Sequence, residues 1–284
     1  MSERCRALGR HHINISQNSN DSRDAILFLH GVTRNWRSFY PLFDELNNDY
    51  NLMSIDFRGH GLSGRTSGSY LVTDYIGDVL ALLKSSSASH QYIYGHSLGG
   101  MVALAVAAKT KNKIKGIILE DPPFSTMGAA IKGSQLHRFF IGLSETSASK
   151  KSCNQLLCEF SNIPLHKKGA SQKLFVKDIR DELSRSFSAE SLMKIDYEII
   201  DPIINGKWLT GYNIEELSKS VDCPVLLLQA DELAGGMLKD RDLNLIKENL
   251  KQEIRHKHFP NVGHIIHSSK PKEILRLIRE NTNG

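Results

Sequence analysis

Ser97 stands in Gly95-His96-Ser97-Leu98-Gly99, a single hydroxyl between two glycines. The stretch before it, "YIYG", reads as a short strand. The stretch after it, "GGMVALAVAAKT", reads as a helix of small and apolar residues. A G-x-S-x-G segment between a strand and a helix is a tight turn. Its serine must take a strained backbone conformation, and its neighbours must be small so that strand and helix can approach. The turn lifts the hydroxyl above the carboxyl end of the sheet. It also sets the Leu98 N–H near a helix N-terminus, where it can donate to a developing oxyanion. That arrangement suits nucleophilic attack on a carbonyl carbon. The serine then needs a general base, usually histidine, and an acid to orient that base. With 12 histidines and 31 acidic residues in the chain, composition selects neither.

The elements that must carry these groups alternate. "AILFLHG" (25–31) and "YNLMSIDFRGHG" (50–61) each read as a buried strand ending in glycine. Between them, Trp36, Phe39, Tyr40, Phe43 and Leu46 recur at helical spacing, and "TDYIGDVLALLKSSS" is a second amphipathic helix. Strand "KGIILED" follows the helix after Ser97. Strands alternating with helices imply βαβ units and a mostly parallel sheet flanked by helices. After Asp121-Pro122-Pro123 the alternation stops, and it returns at "CPVLLLQAD" (223–231). A helix, the strand-like "IRHKHFPNVGH" and the helix "PKEILRLIREN" close the chain. The pattern predicts an α/β core from residues 1–123 and 222–284, split by a helical insertion over 124–221.

A chain of 284 residues, 40% hydrophobic, suits one large α/β domain of this kind. Its net charge of +5 is modest and spread out. The clusters Lys150-Lys151 and Lys167-Lys168 read as solvated helix faces, and no aromatic-interleaved basic stripe argues for nucleic acid. The four cysteines, Cys5, Cys153, Cys158 and Cys223, form no C-x-x-C pair. Few cysteines, and no signal-peptide pattern in "MSERCRALGRHHINISQNSN", point to the cytoplasm. No run of about 18 apolar residues suggests a membrane span. The expected partner is a small-molecule substrate, with no metal and no organic cofactor.

Three segments together carry a family resemblance: the Ser97 turn, His30-Gly31 ending an earlier strand, and Asp56-Phe57-Arg58-Gly59-His60-Gly61-Leu62-Ser63 ending the next. The chain resembles the α/β-hydrolase superfamily from His30-Gly31 to "FPNVGH", with 124–221 matching loosely as a helical cap. The resemblance implies Ser97 as nucleophile and the backbone N–H groups of Val32 and Leu98 as the oxyanion hole. It implies His264, in the Gly-His setting of the loop past the last strand, as the base. His267 and His96 read as structural or packing residues. The acid departs from the family pattern, L-L-x-G-x-x-D after the penultimate strand. Aligning Ala230 with the family glycine puts Leu233 where that aspartate belongs. Asp121, at the end of the strand after the nucleophile's helix, is the first candidate. Asp231 is the alternative, and Glu120 and Glu232 are their neighbours. Pro122 is expected to fix the chain direction at Asp121.

The activity implied is hydrolysis of a carboxylic ester or lactone through an acyl-enzyme. Phe139, Phe140, Phe160, Phe175, Phe187 and Trp208 favour a small, largely apolar substrate. Residues 235–240 ("GGMLKD") read as a flexible loop beside the site. Two other readings stay open: hydrolysis of a carbon–carbon bond in a vinylogous diketone, and a non-enzymatic small-ligand receptor on the same fold.

Overall fold

The computed structural model describes residues 1–18, 24–85, 91–111, 113–147, 151–165, 174–252 and 254–282. Lys150 and Lys167-Lys168 lie outside the described residues. The strands are β1 (Ser2–Leu8), β2 (His11–Gln17), β3 (Ala25–Leu29), β4 (Asn51–Ile55), β5 (Gln91–His96), β6 (Ile114–Glu120), β7 (Pro164–Leu165), β8 (Leu174–Phe175), β9 (Val225–Ala230) and β10 (Ile254–Phe259). The helices are α1 (Tyr40–Leu46), α2 (Val72–Ser85), α3 (Leu98–Lys109), α4 (Gln135–Ser147), α5 (Cys153–Ser161), α6 (Val176–Ile179), α7 (Glu182–Leu192), α8 (Asp201–Ile204), α9 (Ile214–Ser220), α10 (Asp240–Asn249), α11 (Ile266–Ser269) and α12 (Pro271–Thr282).

Eight strands form one sheet in the order β1-β2-β4-β3-β5-β6-β9-β10. From β4 to β10 the pairing is parallel; β1–β2 and β2–β4 are antiparallel. The period of two along each strand sends alternate side chains to opposite faces. Leu27, Leu29 and Ile93 pack with α2 and α3 on one face, while Ile26, Phe28, Tyr92 and Tyr94 pack with α1 and α12 on the other. Both faces are dry, which is why the inner strands read as unbroken apolar runs.

The first twenty residues carry no apolar run or helical period that announces an element, yet β1 and β2 form a hairpin there. Gly9, at φ 63, supplies the left-handed turn residue, and Ile13 and Ile15 are fully buried. Among the described residues no helix is long and apolar enough to cross a membrane.

Two features of this topology position the site. First, β3 lies between β4 and β5, so the chain leaves β3 in one direction and returns on the other side. The carboxyl ends of β3 and β5 flank that switch point, where open α/β sheets leave a crevice. Second, among the described residues the chain between β6 and β9 adds no strand to the main sheet. It contains α4 to α9 and the small β7–β8 pair. Some of its contacts fall on loops at the carboxyl edge. The Asn35 amide donates to Ser191 Oγ at 3.0 Å, and the Asp196 N–H donates to the Gly59 carbonyl at 2.6 Å. The last helix of this stretch, α9, packs beside α3 and α10 in the helix layer of the sheet.

Candidate active site

The strand β5 ends at His96, Ser97 takes φ 56 and ψ −116, and α3 begins at Leu98. A non-glycine residue held there costs about 1–3 kcal/mol, so the surroundings must enforce it. They do so through the main chain. The Ser97 N–H donates to the Glu120 carbonyl at 2.9 Å, and the Ser97 carbonyl accepts from Gly100 and Met101 at 2.9 and 3.1 Å. The flanking glycines are sterically required. A Cβ on Gly99 would lie 1.9 Å from the Leu29 oxygen, and one on Gly95 would lie 2.3 Å from the Gly99 oxygen.

The loop after β3 is stapled by two buried imidazoles. His30 Nδ1 meets the Gly31 carbonyl at 2.7 Å, and its Nε2 accepts from the Phe57 N–H at 3.0 Å. His60 Nδ1 meets the Arg58 carbonyl at 3.0 Å, and its Nε2 accepts from the Thr33 N–H at 3.2 Å. Burial is the main cause that pulls His30 down to about 4 and His60 down to about 3. Both rings are therefore neutral supports near pH 7. Asp56 accepts from the Trp36 and Leu62 N–H groups and from the Asn14 amide, and burial pushes its carboxyl upward. The β4 end is thus a loop scaffold. Among the described residues, neither the Val32 nor the Leu98 N–H donates to a protein acceptor.

His264 lies against Asp121, with Nδ1 and Oδ2 2.7 Å apart. The Asp121 carboxylate is fully buried and accepts from three main-chain N–H groups besides: Met237 at 2.7 Å, Leu238 at 3.1 Å and Ala230 at 3.1 Å. The loop that carries Leu233 where the family carries an acid therefore supplies donors to a carboxylate from the neighbouring strand. Residues 235–240, expected to be a flexible loop, include two of those donors.

Asp231 does not touch His264. Its oxygens accept from the Leu233 and Asn261 N–H groups, both at 2.8 Å, and these bonds hold its pKa below the usual carboxylate range, Asn261 first. Leu233 itself is 85% exposed, and Glu232 pairs with Lys239 on the surface. Asp121 takes φ 45, so the extended direction expected of a residue before proline is not adopted. Its buried carboxylate, held on four sides, enforces the turn instead.

The family-model match falls on residues 24–140, described as the alpha/beta hydrolase fold. Over those residues the chain matches that family model, and its fold is the α/β-hydrolase fold. A stretch of 114 residues is 32% identical to 2-(acetamidomethylene)succinate hydrolase of Mesorhizobium japonicum. That match covers 40% of this chain and 40% of that relative, so the chain spans well under half the relative's length. The crystal structure of E-2-(acetamidomethylene)succinate hydrolase superposes with a TM-score of 0.78 at 19% identity, covering 100% of this chain and 99% of that one. The enol-lactonase from Burkholderia xenovorans superposes with a TM-score of 0.75 at 14% identity, covering 99% and 100%. At these identities the likeness is one of fold.

Ser97 and His264, the expected nucleophile and base, do not touch. Among the described residues no hydrogen bond joins the Ser97 hydroxyl to His264. His96, next to Ser97, links them. Its ring centroid is 4.7 Å from that of His264, and its Nε2 meets the His264 carbonyl oxygen at 3.1 Å. Burial holds the His96 pKa well below the usual imidazole range, so Nε2–H of a neutral ring donates to that carbonyl. Glu120 turns the other way. It accepts from Tyr94 Oη at 2.6 Å and from the His267 N–H at 2.9 Å, and it meets His267 Nδ1 at 2.7 Å. Burial pushes its carboxyl up, but the electrostatic pull of His267 and the hydrogen bonds from His267 and Tyr94 outweigh that and hold it at about 2. The Glu120–His267 pair escaped the sequence analysis. The i, i+3 spacing of His264 and His267 against adjacent Glu120 and Asp121 was its only trace.

The aromatic residues of the insertion divide. Phe140, Phe160 and Trp208 are buried in the core. Three rings carry a cation each on a face: the Arg34 guanidinium lies 5.2 Å from the Phe187 centroid, that of Arg180 lies 5.6 Å from the Phe160 centroid, and Lys177 Nζ lies 5.2 Å from the Phe175 centroid.

Proposed function

We propose that this chain is a serine hydrolase that cleaves a carboxylic ester or lactone through an acyl-enzyme. One observation carries the reading: a buried carboxylate 2.7 Å from His264 Nδ1, beside a serine held in a strained strand-to-helix turn. In this reading Asp121 fixes the tautomer with the proton on Nδ1, leaving Nε2 free to take a proton. Ser97 Oγ attacks the substrate carbonyl carbon while its proton passes to His264 Nε2. The carbonyl oxygen becomes the oxyanion and accepts from the Val32 and Leu98 N–H groups, which are free to donate. Collapse expels the alkoxide, which leaves with the proton from Nε2. Water then attacks the acyl-enzyme and gives a proton to Nε2; the adduct collapses, Ser97 Oγ leaves with that proton, and the acid is released. The Ser97–His264 bond, open in the free protein, closes as substrate orders the site. Residues 124–221 act as the cap over the core of 1–123 and 222–284. Their ties to Asn35 and Gly59, on carboxyl-edge loops, support that placement. The names of the relatives, a succinate-derivative hydrolase and an enol-lactonase, accord with hydrolysis at a carbonyl.

The test is covalent labelling together with turnover. A fluorophosphonate probe is expected to attach at Ser97, and short aryl esters are expected to be hydrolysed. Ser97→Ala should abolish labelling and lower kcat by about 10³-fold or more. Undiminished labelling or turnover in that variant refutes the reading.

A further inference from the structure

Arg34 follows the proposed oxyanion-hole residue Val32 by two positions, and Arg180 enters from the insertion just before α7. Both are half-buried, and among the described residues neither guanidinium makes an ion pair or a side-chain hydrogen bond. Each lies near an aromatic ring, Phe187 or Phe160, and the ring face offsets part of the cost of sheltering the charge. A guanidinium on a ring face keeps N–H donors at its edge in a fork that matches a carboxylate. Carboxylates near this pair are otherwise engaged. Glu120 is bound by Tyr94 and His267, and Asp181 accepts from the Ser184 N–H at 2.8 Å as the cap of α7. A third cation, Arg185, donates to Ser161 Oγ at 2.9 Å, next to the ring that carries Arg180, and its buried Nε has no partner.

Sheltering two like charges without a counter-ion is unfavourable, and natural proteins pair such groups. Burial first, then the charge of Arg180, pulls Arg34 down to about 9, with Glu120 opposing. A guanidinium keeps its proton in proteins.

We infer that Arg34 and Arg180 receive an ionised carboxylate on the acyl part of the substrate, so that the preferred substrate is a half-ester or lactone of a dicarboxylic acid. This rests on the reading of Ser97 as nucleophile. It replaces the expectation of a largely apolar substrate. The acyl side is the side that stays on the enzyme through both steps, so a charge held there positions the carbonyl for attack and again for deacylation.

Two measurements separate this inference from the reading beneath it. In the first, kcat/KM is compared for 4-nitrophenyl hemiglutarate and its methyl-capped neutral counterpart. The intact protein should favour the charged ester, and Arg34→Met or Arg180→Met should lower the charged-to-neutral ratio about 30-fold or more. Arg→Lys at either position should restore part of the ratio, which guards against a loss caused by misfolding. A ratio near one in the intact protein, or one unmoved in both Met variants, overturns the inference and leaves Ser97 catalysis standing. In the second, thermal unfolding of Ser97→Ala is followed with glutarate, with dimethyl glutarate and with inorganic phosphate. Stabilisation by glutarate alone, lost in Arg180→Met, supports the carboxylate site even if no ester is turned over. Stabilisation by phosphate and not by glutarate refutes it.

Discussion

Asp121 reaches His264 from the end of strand β6, Oδ2 to Nδ1 at 2.7 Å, while Asp231 in the next loop spends both oxygens on the Leu233 and Asn261 N–H groups. Replacing each by Asn keeps the volume and removes the charge. Asp121→Asn should lower kcat by about 10²- to 10⁴-fold with little change in KM. It should also destabilise the fold by about 1–3 kcal/mol, because an amide cannot accept from all three main-chain donors and His264 at once. Asp231→Asn should lower kcat by about tenfold or less. Steady-state kinetics paired with thermal melts check the ranking. Asp231→Asn being the more damaging would show that the loop rearranges when substrate binds.

Strain at Ser97 separates stability from activity. Ser97→Gly removes the cost of φ 56, whereas Ser97→Ala keeps it. Both should be inactive, and the Gly variant should unfold at a higher denaturant midpoint than the Ala variant. The relief is about 1–3 kcal/mol, less roughly 0.5–1 kcal/mol for the added freedom of glycine in the unfolded chain. Equal midpoints would mean that the turn relaxes around alanine.

Acid should destabilise the protein from just below neutrality. His30 and His60 have folded pKa values of about 4 and about 3, and Glu120 of about 2, all below their ordinary values. In each case the unfolded chain takes up the proton at higher pH than the folded protein, so stability rises with pH across the gap. The imidazole share is complete above about pH 6.5 and drains as the pH falls through about 4 and then about 3. The Glu120 share drains between about 4.5 and about 2. His30 alone accounts for on the order of 3 kcal/mol. Urea midpoints measured at intervals from neutral pH downward should fall steadily. A flat profile to about pH 4.5 contradicts the neutral-imidazole account.

The strands and the turn were legible because they obey local rules. The apolar runs of β3, β5, β6 and β9 are buried on both faces, and the glycines around Ser97 answer to steric distances of a few ångströms. The contact of Asp121 with His264 was legible as well, from Leu233 standing in a loop where a charge was expected. The β1–β2 hairpin was not, because β1 is largely exposed and carries Glu3, Arg4 and Arg6 on an edge, so no apolar run announces it. The conformation of Asp121 was missed because the local preference set by Pro122 is weaker than a buried network of hydrogen bonds. Nor does the sequence bring Arg34 and Arg180 together: they lie in separate segments, and only the docking of the insertion on the β3 loop makes them neighbours.

The way the Asp121 carboxylate is held bears on how this chain can change over generations. Its main-chain partners are the N–H groups of Ala230, at the end of β9, and of Met237 and Leu238 in the loop that follows. Every residue type except proline supplies that donor. The side chains of Glu232, Leu233 and Ala234, all exposed, take no part in holding that carboxylate. Mutational drift there can reshape the rim of the site without touching its charge, and selection on this loop acts on backbone shape, with proline the substitution barred at residues 230, 237 and 238.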